Sequence, residues 1–289
     1  MDEPQLKAFV AIDRYGSFSA AAESLHLTQP AISKRIASLE DAVGTRLFDR
    51  IGRSTVMTEA GRTLLPKAEK MLADFSDMRE SISDLQGRIS GRLSLGTSHH
   101  IGLHRLPPVL REFTAGYPDV ELDLHFVDSE DGCAGVEQGS LELALVTLPL
   151  ASPPVLDVKV IWDDPLVLVA GKNHPLAARK KIRIEELVQY DAILPGTNTY
   201  TRGLLESELQ LEQRGIRTGL STNYLETNKM MASIGLGWSI LPASMVDKDL
   251  HRIKLEGINL HRSLGYVTHR GRSLSSATRA MISILDRTA

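Results

Sequence analysis

Apolar positions recur in three rhythms along the chain, and each rhythm predicts a different kind of element. From residue 5 to about 57 the repeat is helical and short. Leu6, Phe9, Val10 and Ile12 share one face before Gly16 stops the first helix. Ser17 or Ser19 caps a second helix, whose Ala20, Ala21, Ala22 and Leu25 offer a small-residue face for close packing. After a turn at His26-Leu27, Thr28 caps a third helix with Pro30 in its first turn, where no N–H is needed. Its inward stripe is Ile32, Ile36, Leu39 and Val43, and Gly44 ends it. Leu47-Phe48 and Arg50, a turn at Ile51-Gly52-Arg53, and Ser54-Thr55-Val56 read as a small β-wing.

The second rhythm runs from Thr58 to about Gln86. Leu64, Ala68, Met71, Phe75, Met78, Ile82 and Leu85 alternate separations of four and three residues, which is a strict heptad seam. So narrow a stripe suits another helix better than a globular core, and these seven residues are expected at a dimer interface; a long surface helix lying on its own domain is the competing account. Pro66 should bend the helix near its start.

From Gly91 onward strands alternate with helices. Strands are expected at 92–95, 120–127, 141–146, 166–169 and 191–194, and helices at 104–113, 130–138, 203–213 and 223–234. This order implies α/β architecture with parallel sheets covered on both faces, and ligand sites beyond the carboxyl ends of strands. Nearly 200 residues in this style suggest two sub-lobes. The resulting division is 1–57 as a reading head, 58–90 as a linker helix and 91–289 as a ligand-binding region.

Composition narrows the options. The length of 289 residues exceeds one ordinary core. With 42% hydrophobic and 24% charged residues the chain is neither disordered nor collagen-like. A net charge of -3 rules out a uniformly basic coat, so any nucleic-acid contact must be local. A single cysteine, Cys133, allows no intrachain disulfide, and it lacks a resolving partner for redox sensing. The acidic start and the shortness of the longest charge-free stretch, 230–246, point away from export and from a membrane span. A cytoplasmic protein is expected.

The strongest chemical signal is the helix-turn-helix spacing of 17–50. With Ile32, Ile36 and Leu39 inward, Gln29, Ser33 and Lys34 share the outward face at the N-terminal end of the third helix, the part that enters a major groove. Gln can bridge adenine, Ser is a short adaptable partner and Lys suits guanine or phosphate, while Arg53 at the wing tip can reach a minor groove or a phosphate. A winged helix used only for protein contacts is the alternative.

Residues 1 to about 62 resemble the DNA-binding module of LysR-type transcriptional regulators. The likeness rests on the alanine-rich second helix, Thr28-Gln29-Pro30-Ala31-Ile32-Ser33, Leu39-Glu40, Gly44, Leu47-Phe48, Arg50 and Thr58-Glu59-Ala60-Gly61. It implies an N-terminal all-α winged helix-turn-helix, a long linker helix and a two-lobed region like periplasmic binding proteins, with lobe I at about 91–161 and 267–289 and lobe II at about 162–266. It also implies recognition positions at Gln29, Pro30, Ala31, Ser33 and Lys34, and Ser17, Thr28 and Arg53 are expected to contact DNA beside them. Lys34 stands where Arg is more usual. The implied partners are double-stranded DNA as an interrupted palindrome, a second copy or a tetramer, RNA polymerase, and a small-molecule effector between the lobes, with no other cofactor.

Gly96-Thr97-Ser98-His99-His100 follows the first strand of the α/β region and opens a helix, a setting that favours an anion. Thr147 and Pro195-Gly196-Thr197-Asn198-Thr199 follow other strands. Ser98, His99, Thr147 and Thr197 are therefore expected to touch an anionic effector, joined by Thr97, His100, Asn198 and Asn228. Each has an ordinary reading as a cap or turn residue. Arg202 and Asp128 could set ligand charge. His100 and His104 stand at i and i+4 and could share a metal, but nothing in the sequence fixes a third ligand, so no metal site is expected.

Enzymes are the rival class. The α/β region has no Gly-rich phosphate loop, Gly-x-Ser-x-Gly turn or His-Glu-x-x-His pair, so catalysis is not expected. A solute-binding module fused to an interaction domain is a third reading.

Overall fold

The structure is a computed structural model that describes residues 1–51, 54–83, 89–179, 181–210, 215–255 and 257–288. Helix α1 (Glu3–Tyr15) starts with a reciprocal cap, in which the Asp2 carboxylate accepts from the Gln5 N–H and the Gln5 side chain accepts from the Asp2 N–H, both at 2.9 Å. It ends at Gly16, whose φ of 73° is left-handed. Ser17 caps α2 (Phe18–Ser24) and Thr28 caps α3 (Gln29–Val43). Leu6, Phe9, Ile12, Ile32, Ile36 and Leu39 close the core, and the Phe48 ring packs on Phe9 and Phe18 at 5.4 and 5.9 Å between centroids. Val43 does not join the stripe. It is 37% exposed and lines a surface groove with Thr45, Ala60 and Leu64, one turn beyond the core.

The wing is an antiparallel pair, β1 (Phe48–Ile51) and β2 (Ser54–Met57), and its turn residues Gly52 and Arg53 lie outside the described residues. Glu40 ties α3 to the wing, because its Oε1 accepts from the N–H groups of Leu47 and Phe48 at 2.7 and 3.3 Å. Thr58 ties the wing to helix α4 (Glu59–Ser83): its hydroxyl donates to the Arg46 carbonyl and accepts from the Gly61 N–H. A side chain at Gly61 would meet the Leu47 carbonyl oxygen at 2.5 Å, so that corner needs glycine.

The seam on α4 divides in two. Ala68 is fully buried and Leu64 half-buried against the chain's own reading head, where Leu65 and Leu72 widen the apolar stripe. Further along, Met71 and Met78 are exposed and Phe75 is half-buried. Leu85 and the side chain of Ile82 lie outside the described residues.

The rest of the chain builds one nine-stranded sheet with helices on it. One half is β3 (Gly91–Thr97), flanked in parallel by β4 (Val120–Phe126) and β5 (Leu143–Thr147), with α5 (His99–His104), α6 (Leu106–Gly116) and α7 (Ser129–Gln138) between them. The expected helix over 104–113 is thus two helices meeting at Arg105. The other half holds β7 (Ala192–Leu194), parallel to β8 (Thr218–Ser221) and β9 (Trp238–Pro242), with α8 (Ile184–Leu187), α9 (Tyr200–Leu209) and α10 (Leu225–Ser233). Strand β5 is buried at every position, as a strand covered on both faces must be.

The expectation of purely parallel sheets fails at the junction. Strand β6 (Leu156–Gly171) spans 16 residues, not four, and pairs antiparallel with β9, β10 (Leu250–Ile253) and the ten-residue β11 (Leu260–His269). Strand β11 also pairs antiparallel with β5. These two long strands carry the chain across both halves, and α11 (Ser276–Asp286) returns to pack on the first. At the bulge beside Gly265 a side chain would collide with the Lys159 carbonyl oxygen at 1.9 Å, so glycine lets the strands cross closely.

Candidate functional site

Two regions gather chemistry. On the reading head, Thr28, Gln29, Pro30 and Lys34 are exposed on the first turns of α3, with Ala31 and Ser33 half-buried beside them. The Gln29 amide donates to the Ser33 hydroxyl at 3.3 Å, a weak bond that a base edge can replace. The Ser17 and Thr28 oxygens accept from the N–H groups of Ala20 and Ala31, so their hydroxyl protons remain to donate outward. Buried Ile32, Ile36 and Leu39 hold this face rigidly.

The second region is a cleft where the carboxyl ends of β3, β5 and β7 meet. Ser98, His99, His100 and Thr147 line it from the first half, and Pro195, Thr199, Thr201 and Tyr224 from the second. Its free volume is ≈ 60 Å³, room for about two waters. Bridges hold it shut. Asn223 donates to Asp128 at 2.5 Å, the Tyr200 N–H donates to Glu130 at 2.5 Å, and the rings of His99 and Tyr224 meet edge-on at 5.2 Å. Beside the cleft, His104 Nε2 lies 3.0 Å from a Glu226 carboxylate oxygen, joining α5 to α10.

Several expected ligand residues sit elsewhere. Thr97 is fully buried beneath the cleft. Thr197 and Asn198 are exposed and do not line it; from that loop Thr199 turns inward, its hydroxyl capping α9. Asn228 is fully buried and donates to the Thr222 carbonyl. Arg202 points away, bonded to Glu206 at 2.5 Å and to Thr218. Ser98 occupies the N-cap position of α5 without closing a side-chain cap bond, which leaves its hydroxyl uncommitted to that helix.

The cation at the cleft is Arg262, which the sequence pattern does not single out. It lies on β11 directly across from Asp164 on β6, donating to that carboxylate at 2.8 Å and to the Thr201 hydroxyl at 2.9 Å. Both charges are buried. Burial pushes the guanidinium's pKa down, and Asp164 opposes that push. Burial, then Arg262, lowers His100 to about 4, so its ring is neutral near pH 7. Glu130 is raised by burial against the pull of the Tyr200 N–H. Cys133 is buried and its thiol is pushed up to about 11, which makes it inert.

Residues 4–62 match the family described as "Bacterial regulatory helix-turn-helix protein, lysR family", and residues 86–289 match the "LysR substrate binding domain". An uncharacterized HTH-type transcriptional regulator of Azotobacter vinelandii is 59% identical over 108 residues, 37% of this chain and 75% of the relative. A probable RuBisCO transcriptional regulator of Cyanophora paradoxa is 32% identical over 287 residues, 95% of this chain and 88% of the relative. The solved structure of a full-length OxyR variant from Pseudomonas aeruginosa superposes with a TM-score of 0.74 at 23% identity, covering 100% of this chain and 94% of that one. Helix-turn-helix, linker helix and two-lobed cleft in this order, matched over nearly the whole length, place the chain in the LysR family of DNA-binding transcriptional regulators.

Proposed function

We propose that this chain reads an interrupted palindrome as a homodimer or a homotetramer, and that a small polar effector in the cleft resets the geometry between subunits. The reading rests on one observation: the first turns of α3 present Thr28, Gln29 and Lys34 to solvent while the same helix is locked inward by Ile32, Ile36 and Leu39. Pairing between subunits falls to the exposed end of the α4 seam, Met71, Phe75 and Met78. Regulation, not catalysis, fits the cleft, whose carboxylates Asp128 and Glu130 are tied to Asn223 and Tyr200. The protein acts in the cytoplasm, with RNA polymerase as a further contact and no catalytic cofactor; no described helix is long and apolar enough to cross a membrane.

Ser98, Thr147, Thr201 and Arg262 suit a carboxylate or another anionic group, while Asp128 and Glu130 suit a hydroxyl or amine at the other end. A cavity of ≈ 60 Å³ holds no metabolite, so entry separates the lobes and breaks the Asp128 and Glu130 bridges. The effector acts by exchanging those bridges for its own contacts.

The test is selection of binding sites from random DNA by the full chain. A palindromic consensus is expected, and Gln29→Ala should relax one position in each half-site at a cost of about 1–3 kcal/mol. An unchanged consensus at full affinity would remove Gln29 from the reading face, and no enrichment at all would defeat the proposal.

A further inference from the structure

Where α5 faces α10, three metal-binding side chains converge. His100 and His104 project from one face of α5, their rings 4.9 Å apart between centroids, and Glu226 projects from α10 on the opposite lobe. One ligand atom from each lies within 4.8 Å of the other two. We propose that His100, His104 and Glu226 bind a divalent transition-metal ion of the zinc class, which staples the two lobes together.

Two observations beyond the convergence point to an ion. His100, only 6% exposed, has a buried Nδ1 with no hydrogen-bond partner among the described residues, and the buried Oε2 of Glu226 has none either. An imidazole nitrogen and a carboxylate oxygen left without partners are costly to bury, and a cation held by these two residues would offset that cost.

The donor set selects the ion. Two imidazoles and one carboxylate suit Zn²⁺, Co²⁺ or Ni²⁺, whereas Mg²⁺ and Ca²⁺ demand oxygen ligands. Tetrahedral bonds of about 2.0–2.1 Å bring donor atoms to roughly 3.3 Å from one another. The present spread of up to 4.8 Å must therefore contract on binding, and rotation of the imidazoles and of the Glu226 carboxylate supplies the movement. The fourth position remains for water or for an anionic group from the adjoining cleft.

Charge does not oppose the ion. Arg262 is the nearby cation, and its partner Asp164 neutralises it, which leaves the Glu226 carboxylate as the charge facing His100 and His104. The staple is also separable from the effector cleft. His104 and Glu226 do not line that cavity, and only His100 belongs to both. An ion here would fix α5 against α10 and hold the lobes in the closed arrangement.

The test uses the full chain, stripped with a chelator, dialysed and titrated with Co²⁺ while its visible absorption is recorded, followed by displacement with Zn²⁺. One saturable ion per chain is expected, and Zn²⁺ should raise the melting temperature of the wild type. His104→Ala and Glu226→Gln should each weaken binding by more than about 100-fold, beyond what loss of a supporting contact costs. The shift in melting temperature should vanish with it. His104 and Glu226 are partly exposed, so these variants carry the test even if His100→Ala folds poorly. His261→Ala, at an exposed position on β11, should bind as the wild type does. Absence of a saturable one-per-chain site, or its persistence in both His104→Ala and Glu226→Gln, overturns the proposal. A gel shift on the same variants keeps the two readings apart, because DNA binding tests the regulator and metal uptake tests the staple.

Discussion

Removing the Arg262 side chain should cost more stability than any exposed substitution in this chain. Its guanidinium bridges the two long crossing strands through Asp164 and reaches α9 through Thr201, and both charged groups are buried. Arg262→Ala would strand the Asp164 carboxylate, 1% exposed, without its counter-charge. Breaking a buried pair in this way costs about 3–5 kcal/mol, because the remaining charge keeps its desolvation penalty and loses its attraction. Replacing both partners together, as in Arg262→Met with Asp164→Leu, removes the two penalties at once and should recover most of that loss. Trp162 and Trp238, the two tryptophans, both lie in the two-lobed region, so their fluorescence during urea unfolding reports this unit and not the reading head. With a slope of about 2–3 kcal/mol per molar urea, the single variant should shift the midpoint down by about 1–2.5 M. A shift below about 0.3 M, or a double variant no more stable than the single one, would show that the pair does not hold the strands.

How much of this was legible in the sequence depended on range. The reading head could be read because its signals are local: Gly16 and Gly44 stop helices, Ser17 and Thr28 cap them, and the apolar stripes close over a few turns. Strand ends are similarly visible, so the pattern locates the loops that frame the cleft without deciding which side chain of a loop faces inward. Thr197, Asn198 and Thr199 share one loop, and only the backbone path decides that Thr199 faces inward as a cap. What could not be read was pairing across long separations. Asp164 and Arg262 are neighbours only through the register of β6 with β11, and Glu226 meets His104 only because two lobes close. The apolar pattern marks only 166–169 of strand β6 because Asp157, Lys159, Asp163 and Asp164 interrupt it, and such residues belong on a strand that leaves one lobe for another.

Three further predictions address the other elements. Met78→Asp places a charge at an exposed seam position of α4, and if that seam joins two copies, sedimentation should show monomers where the wild type shows dimers or tetramers; an unchanged oligomer would move the interface elsewhere. Cys133, pushed up to about 11, holds about 100-fold less thiolate than an ordinary thiol, so iodoacetamide should label the native chain about 100-fold more slowly than the urea-unfolded one, and rates within tenfold would contradict its burial. Glu130 makes the last prediction, about pH. Burial raises its pKa in the closed form, so the closed form binds a proton more readily than the solvated carboxyl does. Stability contributed by that proton is therefore present at low pH and lost as pH rises from the ordinary glutamate value through the raised one. Glu130→Gln keeps an oxygen that can accept from the Tyr200 N–H but cannot ionise. The advantage of the variant over the wild type in melting temperature should accordingly be small at pH 4.5 and grow toward pH 7.5. A difference that stays constant across that range would mean that the Glu130 carboxylate is as comfortable in the closed cleft as in water, and that burial at the bridge does not set its charge.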